Sequence, residues 1–432
     1  MRLRKTAMLI SAALVSMLVL GACSSGSADS GDGPVTLTVW GWDDTVAKAV
    51  PGFEAANPNI KVNVVNAGSS TDEYTALDNA IQAGSGVPDV AMFEYFAVPY
   101  FAIPGKLEDL GKYGVDSVKN DFVDAAWNDV TVDGKTYALP SDYGPVAMFY
   151  NQDTFKKAGI DQPPATWDEY YQDAKKIHAL GSDYYIAQDT GDIFFLLSLI
   201  WQAGGRPFTV DGDKVHIDFT DPATAKAVAF WQKMLDEGLV NTKVTAWSDD
   251  WNRTLNDGTL AAQVTGGWLT STLPQRAAQA AGNFRVAPMP QWNQGEELGA
   301  ENGGSSFGIP AAAAHKDAAY KFLEYFTHGG GLSSRVDAGA FVPDKPVLTS
   351  PDFQGKTNDY FGGQKVGSVL AEGSKDVATG WQYPPFFEWA RTTYTDLVAP
   401  FYASGQGSLA GILDQWRLRM IAYGNEQGFQ VD

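Results

Sequence analysis

Two rhythms of hydrophobic and polar positions alternate along this chain. Val35, Leu37 and Val39 stand against Thr36, Thr38 and Trp40, the period-two pattern of a strand over 35–42. A helical rhythm follows over 44–56 and is stopped by Asn57-Pro58. A second strand is predicted over 60–65. Ser70-Thr71-Asp72-Glu73 has the spacing of a capping box and opens a helix with Tyr74, Leu77 and Ile81 on one face. Gly84-Ser85-Gly86 ends that helix, and 88–93 enters a third strand. The second stretch repeats the grammar. Thr166-Trp167-Asp168-Glu169 is another capping box, opening a helix over 167–180. Asp221 before Pro222 is an N-cap with proline at the first helical position, and Gly238 closes that helix. Short strands are predicted over 260–265 and 284–287. Helices are predicted over 316–327 and 409–425, the last with Ile412, Leu413, Trp416 and Met420 on one stripe. No internal repeat or heptad run appears. Strands alternating with helices predict an α/β fold with parallel pairing.

The first residues obey a different logic. Arg2, Arg4 and Lys5 precede an apolar run over 7–20, and Leu20-Gly21-Ala22-Cys23 follows. This is the order of an export signal: basic, apolar, then small residues before a cleavage point. The last four residues resemble a bacterial lipobox, which implies a signal peptide over 1–22 and a lipid on Cys23. Cys23 is the only cysteine, so no disulfide can form within one chain. The polar 23–33 segment reads as a tether. About 400 residues remain, more than one hydrophobic core usually serves, so two lobes are expected. Without the signal, 28 basic residues face 51 acidic ones, a formal charge of −23. Such a surface repels nucleic acid and anionic head groups. Membrane attachment therefore falls to the lipid, and the body is expected outside the cytoplasm. One acyl chain binds only marginally; the lipobox resemblance implies more than one.

The body resembles the extracellular solute-binding proteins of bacterial ABC importers, in the carbohydrate group typified by maltose-binding protein. The resemblance rests on Thr36-Leu37-Thr38-Val39-Trp40-Gly41-Trp42, Gly86-Val87-Pro88-Asp89-Val90, and Leu139-Pro140 leading to Met148-Phe149-Tyr150-Asn151. It continues through Ala158-Gly159, Pro163-Pro164-Ala165-Thr166-Trp167-Asp168-Glu169, Gly204-Gly205, Gly266-Gly267-Trp268 and Gly308-Ile309-Pro310. Each piece is short, and their shared order spans nearly all of the body. The resemblance implies a type II periplasmic-binding-protein-like fold, two α/β lobes with the ligand cleft between them. Lobe one would comprise 34–143 and 305–342, lobe two 146–302 and 348–432. Three crossing segments near 143–146, 302–305 and 341–348 would join them. It also implies a sugar ligand, a membrane permease with a separate ATPase as partner, a monomer, and neither enzymatic activity nor a cofactor.

Candidate ligand residues follow from where strands end. In an α/β sheet the ligand lies beyond the carboxyl ends of the strands, which places Trp42, Asp43 and Asp44 after the first and Glu94 after the third. An aromatic face covers the C–H face of a pyranose, and a carboxylate accepts its hydroxyl protons. The alternative for Asp43 or Asp44 is a helix N-cap, with Trp42 in the core. Tyr143 lies where the chain first crosses. By the resemblance, Asp192 and Phe194 supply an acid and an aromatic, and Trp268 matches the cleft tryptophan. Gly304 and Ser305 could offer backbone amides. Trp381 sits in a lobe-two loop, with Phe387 and Trp389 as competitors; Trp247 and Trp251 are further candidates. The runner-up class is a secreted glycoside hydrolase, which needs two carboxylates at a set separation.

Other chemistries are disfavoured. Gly304-Ser305-Ser306-Phe307-Gly308 matches a nucleophile-elbow pattern, but the Gly308-Ile309-Pro310 that follows cannot open the required helix. The four histidines have no zinc-ligand spacing, and no phosphate-cradling Gly-x-x-x-x-Gly-Lys-Ser/Thr loop exists.

Overall fold

The computed structural model describes residues 34–432; the leader, Cys23 and the tether up to Gly33 lie outside them. The first strand, β1 (Val35–Trp40), buries Leu37 and Val39 completely, as its alternation requires. Helix α1 (Val46–Ala56) lays Val46, Ala49 and Phe53 inward. Strand β2 (Ile60–Val65) then pairs parallel to β1, Val39 opposite Val64. Helix α2 (Thr71–Ala83) leads to β3 (Val90–Glu94), also parallel to β1. These are β–α–β units with parallel strands, and β2 keeps Lys61 and Asn63 exposed.

Strand β4 (Ala138–Asn151) carries the chain between the lobes. Its first part, from Ala138 to Pro145, pairs antiparallel with β7 (Glu301–Gly308). Its second part, from Val146 to Asn151, pairs with β5 (Ala262–Gly266) and β6 (Phe284–Pro288). One sheet in the order β5-β4-β7-β3-β1-β2 therefore runs through the molecule, with β6 also on β4. The strands approach closely here. A Cβ on Gly144 would stand 2.4 Å from the Asn302 carbonyl oxygen, so only glycine admits this crossing. The third segment lies alongside, since Tyr143 N–H donates to Phe341 O at 3.0 Å.

Two apolar clusters form. One gathers Leu37, Val39, Phe53, Met92 and Phe307 against Phe322 and Phe326. The larger one contains Trp167, Trp201, Trp231 and Trp416. The Thr166 capping box is present, as is the Asp221 cap before Pro222. The helices at Lys316–Thr327 and Leu409–Glu426 also agree with the predicted ones.

The capping box at Ser70 does not form. Ser70 has φ 52° and makes no side-chain cap bond; its hydroxyl donates to Glu94 instead, at 2.6 Å. Glu73, the other half of the box, is fully buried and accepts from Met92 N–H at 3.2 Å. Its second oxygen has no partner. Burial pushes its carboxyl up to about 8 from 4.5. A carboxyl raised in the folded state costs nothing at low pH. Stability is then lost as pH rises from the unfolded value towards the folded one. Glu73→Gln is therefore expected to raise stability by about 2–3 kcal/mol at pH 7. It should also flatten the decline between pH 5 and 8. Urea unfolding at both pH values measures this, and an unchanged slope would refute it.

Candidate functional site

Where the two halves of the long sheet meet, a gap of about 200 Å³ lies between the lobes. It is lined by Tyr95, Phe96, Phe194, Glu301, Gly303, Gly304 and Tyr383. Typical small-molecule sites enclose about 300–1,000 Å³. None of this space holds a water-sized sphere, so the gap falls well below that range.

Each wall has a reason in the chain. Tyr95 and Phe96 follow β3 directly, beyond its carboxyl end. Tyr95 Oη donates to Asp142 O at 2.8 Å, which fixes the ring beneath Gly304. Gly304 has φ +109°, and a Cβ there would meet the Tyr95 ring at 2.5 Å. Phe194 is on the first turn of α5 (Ile193–Gln202), a nearly all-apolar helix buried in lobe two. Across the gap Phe96 meets Phe194 at 5.2 Å, Phe387 at 5.7 Å and Tyr383 at 6.2 Å between ring centres.

A polar contact closes one edge. Arg391 donates to Ser70 Oγ at 2.9 Å and Thr71 Oγ1 at 2.6 Å, while Glu388 accepts from Arg391 at 2.6 Å and from Thr71. At another edge Asn128 Nδ2 donates weakly to Trp381 O, at 3.4 Å.

Several buried polar atoms have no hydrogen-bond partner: Asp129 Oδ2, Tyr143 Oη, Glu301 Oε1 and Trp381 Nε1. Leaving such groups unmade costs about 1–3 kcal/mol each. Burial, and then the Asp129 carboxylate, holds Glu301 well above the usual carboxylate range. Burial likewise raises Asp129. Asp142, bonded by Ser305 Oγ at 2.5 Å, is pushed up to about 6 by burial and by Asp43.

Of the residues read from the sequence, Phe194 and Gly304 line the gap. Tyr143 lies fully buried beside Glu301 with its hydroxyl unpaired. Glu94 is not among the lining residues; its carboxylate accepts from Ser70 Oγ and from Tyr74 Oη at 3.1 Å. Ser305 is buried, its hydroxyl spent on Asp142.

Others lie elsewhere. Asp43 accepts from Arg335 at 2.8 Å and from Thr45 N–H at 2.8 Å, an ion pair inside lobe one. Trp42 packs edge-on against Tyr74 at 6.2 Å, and Asp44 is exposed. None of the three lines the gap, because β1 ends one strand further from β7 than β3 does. Asp192 caps α5 by accepting from Phe194 N–H at 3.0 Å.

Trp268 Nε1 donates to Asn302 O on the crossing strand at 2.7 Å, and its ring stacks on half-exposed Trp247 at 5.6 Å. Trp251 is core. Trp381 offers no face to a sugar: it is 2% exposed and stacked on Trp201 at 4.7 Å, with planes 3° apart. Phe387 is fully buried, and Trp389 is covered by Tyr423 at 3.9 Å. Tyr383 takes the lobe-two position at the gap instead.

Sequence reading missed Phe96, Asp129, Glu301 and Tyr383 as site residues. Tyr383 was signalled only by the aromatic loop around Trp381, and Asp129 by nothing local. Ser306 of the elbow-like pattern is fully buried and donates to Phe93 O at 3.0 Å, so it is a strand residue.

The family model for bacterial extracellular solute-binding proteins matches residues 41–328. The chain belongs to this family. A binding protein from B. animalis subsp. lactis Bl-04, associated with an ABC transporter and solved with β-1,6-galactobiose, is 44% identical. It superposes with a TM-score of 0.84 over 92% of this chain and 99% of that one. The lactose-binding protein of Rhizobium radiobacter is 28% identical over 383 residues, 84% of this chain and 86% of its own. The arabinooligosaccharide-binding protein of Bacillus subtilis is 26% identical over 326 residues, 71% and 72% of the two chains. The two-lobed type II architecture is thus common to this chain and its solved relatives. The family and these relatives are binding proteins rather than enzymes. Family membership places the protein outside the cytoplasm, and among the described residues no helix is long and apolar enough to cross a membrane.

Proposed function

We propose that this protein captures a galactose-containing disaccharide between its lobes and delivers it, unaltered, to an ABC permease driven by a separate ATPase. The observation that carries the reading is the gap itself, where the rings of Tyr95, Phe96, Phe194 and Tyr383 surround the Glu301 carboxyl. Aromatic faces cover the C–H face of a sugar ring, and a carboxyl pairs with its hydroxyls. The galactobiose and lactose named for the two relatives both contain galactose, which narrows the sugar.

In this reading lobe one is 34–143 with 305–342, and lobe two 146–302 with 348–432. The lobes open at the three crossings to admit the sugar and close on it. Closure follows ligand because the closed form alone contacts it from both sides. The protein works as a monomer, tethered by lipid on Cys23.

A thermal-shift panel containing β-1,6-galactobiose, lactose, maltose and arabinobiose tests the ligand. The right sugar at ~100 times its dissociation constant stabilises by about 2.7 kcal/mol. It should also reduce the radius of gyration in small-angle scattering and be recovered intact. A cleaved product would instead support the glycoside-hydrolase reading, and no response to any sugar would remove this one. Anchorage has its own check: Cys23→Ser should move the protein from the membrane to the soluble fraction or leave it unprocessed. Equal retention would refute the lipid anchor.

A further inference from the structure

Asp129 and Glu301 reach the gap from different parts of the chain, and their side chains hydrogen-bond each other there. Asp129 ends the short helix Asp124–Asp129 of lobe one, while Glu301 opens β7 on the lobe-two side of a crossing. Beside Asp129, Asn128 Nδ2 donates to Trp381 O at 3.4 Å, so this helix end is where lobe one touches the loop of lobe two. Glu301 is 4% exposed, and neither its Oε1 nor Asp129 Oδ2 has a donor from another group. An ionised carboxylate only accepts, so two of them bond only when one carries a proton. Among the described residues no cation acts on either carboxyl. Those on the adjoining elements are engaged elsewhere: Lys345 by Asp124, Lys135 by Asp109 and Arg391 by Glu388. Tyr95, Tyr143 and Tyr383 face the pair as phenols that burial, and then the nearby carboxylates, keep neutral. Asp142 and Glu94 act on these same phenols and add only negative potential. The amide of Asn128 reaches Asp129 Oδ1 weakly, at 3.5 Å.

We propose that Asp129 and Glu301 share a proton across the lobes and form a pH-sensitive clasp that holds the unliganded protein closed. The inference rests on the lobe closure described under the proposed function, and adds what holds the lobes together without a ligand and what releases them. Opening returns both carboxyls to water, where such groups ionise near about pH 4. In the closed form burial raises both of them, so closing near neutral pH takes up a proton from solvent. A carboxyl raised in the closed form favours that form at low pH, and the preference is lost as pH rises through the raised value. For one proton the closed-to-open ratio falls by up to about tenfold per pH unit. Once both carboxyls are ionised, two like charges face each other in a buried space and repel.

The test is small-angle scattering of the intact, unliganded soluble body from pH 5 to 9, with circular dichroism at each pH to confirm that it stays folded. The radius of gyration should be smallest at pH 5 and grow towards pH 9. Asp129→Asn and Glu301→Gln each put a permanent amide donor in the proton's place, so each should stay compact at pH 9. Thermal unfolding checks the variants, and either one suffices if the other does not fold. A wild-type radius that is flat in pH, or one that grows equally in the amide variants, would overturn the clasp. Addition of β-1,6-galactobiose at each pH keeps that failure separate from failure of lobe closure. Compaction by the sugar alongside a flat unliganded profile would count against the clasp alone. A radius moved by neither pH nor sugar would overturn the closure on which the clasp depends.

Discussion

Arg335→Met is expected to lower the unfolding free energy by about 3–5 kcal/mol, the range for breaking a buried ion pair by removing one partner. Arg335 has no exposed surface, and it ties four separate pieces of lobe one together. Its Nε donates to Thr45 Oγ1 at 3.1 Å, and its two terminal nitrogens reach Asp43, Phe326 O and Ser141. The guanidinium also lies 5.4 Å from the centre of the Phe326 ring. Methionine would fill much of the volume but leave Asp43 Oδ2 and the Phe326 and Ser141 carbonyl oxygens without this donor. Most of the cost is the stranded Asp43 charge. Adding Asp43→Asn should therefore recover a good part of the loss, which a double-mutant cycle in urea measures. A loss below about 1 kcal/mol would mean that water reaches the pair.

Gly304→Val is expected to abolish sugar binding, with a loss of more than about 100-fold, corresponding to some 3 kcal/mol. Two effects combine. The backbone φ of +109° is hostile to a β-branched residue, and the new Cβ would stand 2.5 Å and 2.9 Å from carbons of the Tyr95 ring. Tyr95 is held from below by its bond to Asp142 O, so the ring cannot simply retreat. The crossing strand or the lobe contact must give instead. A stability cost of about 1–3 kcal/mol accompanies it, in line with overpacking. Calorimetry gives the affinity and circular dichroism the fold. Unchanged affinity would show that the strand shifts freely and that Gly304 is no part of the site.

Much of the fold was legible. Strand alternation at Val35–Trp40, the stop at Asn57-Pro58, the Thr166 capping box and the Asp221-Pro222 helix start are local events, written in neighbouring residues. The same local rule misread Ser70-Thr71-Asp72-Glu73. There the spacing is right, but Glu94 arrives from the next strand and takes the Ser70 hydroxyl, while Glu73 turns inward. A distant partner outbid a nearby one, and nothing within the motif records it.

The candidate site divides along the same line. Phe194, read from the family resemblance, and Gly304, read from its place at a crossing, both line the gap. Asp43 was read as a sugar ligand because an acid beyond a strand end fits that role, yet its partner is Arg335, 292 positions away. Trp381 was read as a candidate from its place in a lobe-two loop, in competition with Phe387 and Trp389. One of its faces is closed by Trp201, which stands far from it in the sequence. Asp129 and Glu301 carry no motif at all, and only their meeting gives them chemistry.

By itself, the order of residues determined the α/β alternation, the need for two cores and, through the basic-apolar-cysteine leader, the expected address. Each of these follows from composition or from periods of two and 3.6, interactions that reach at most a few residues. Tertiary structure alone decided which aromatics are covered and which face the gap, which acids are neutralised, and which remain unpaired between the lobes. Those outcomes depend on burial and on partners brought together from opposite ends of one sheet, where desolvation pushes carboxyls towards the neutral form.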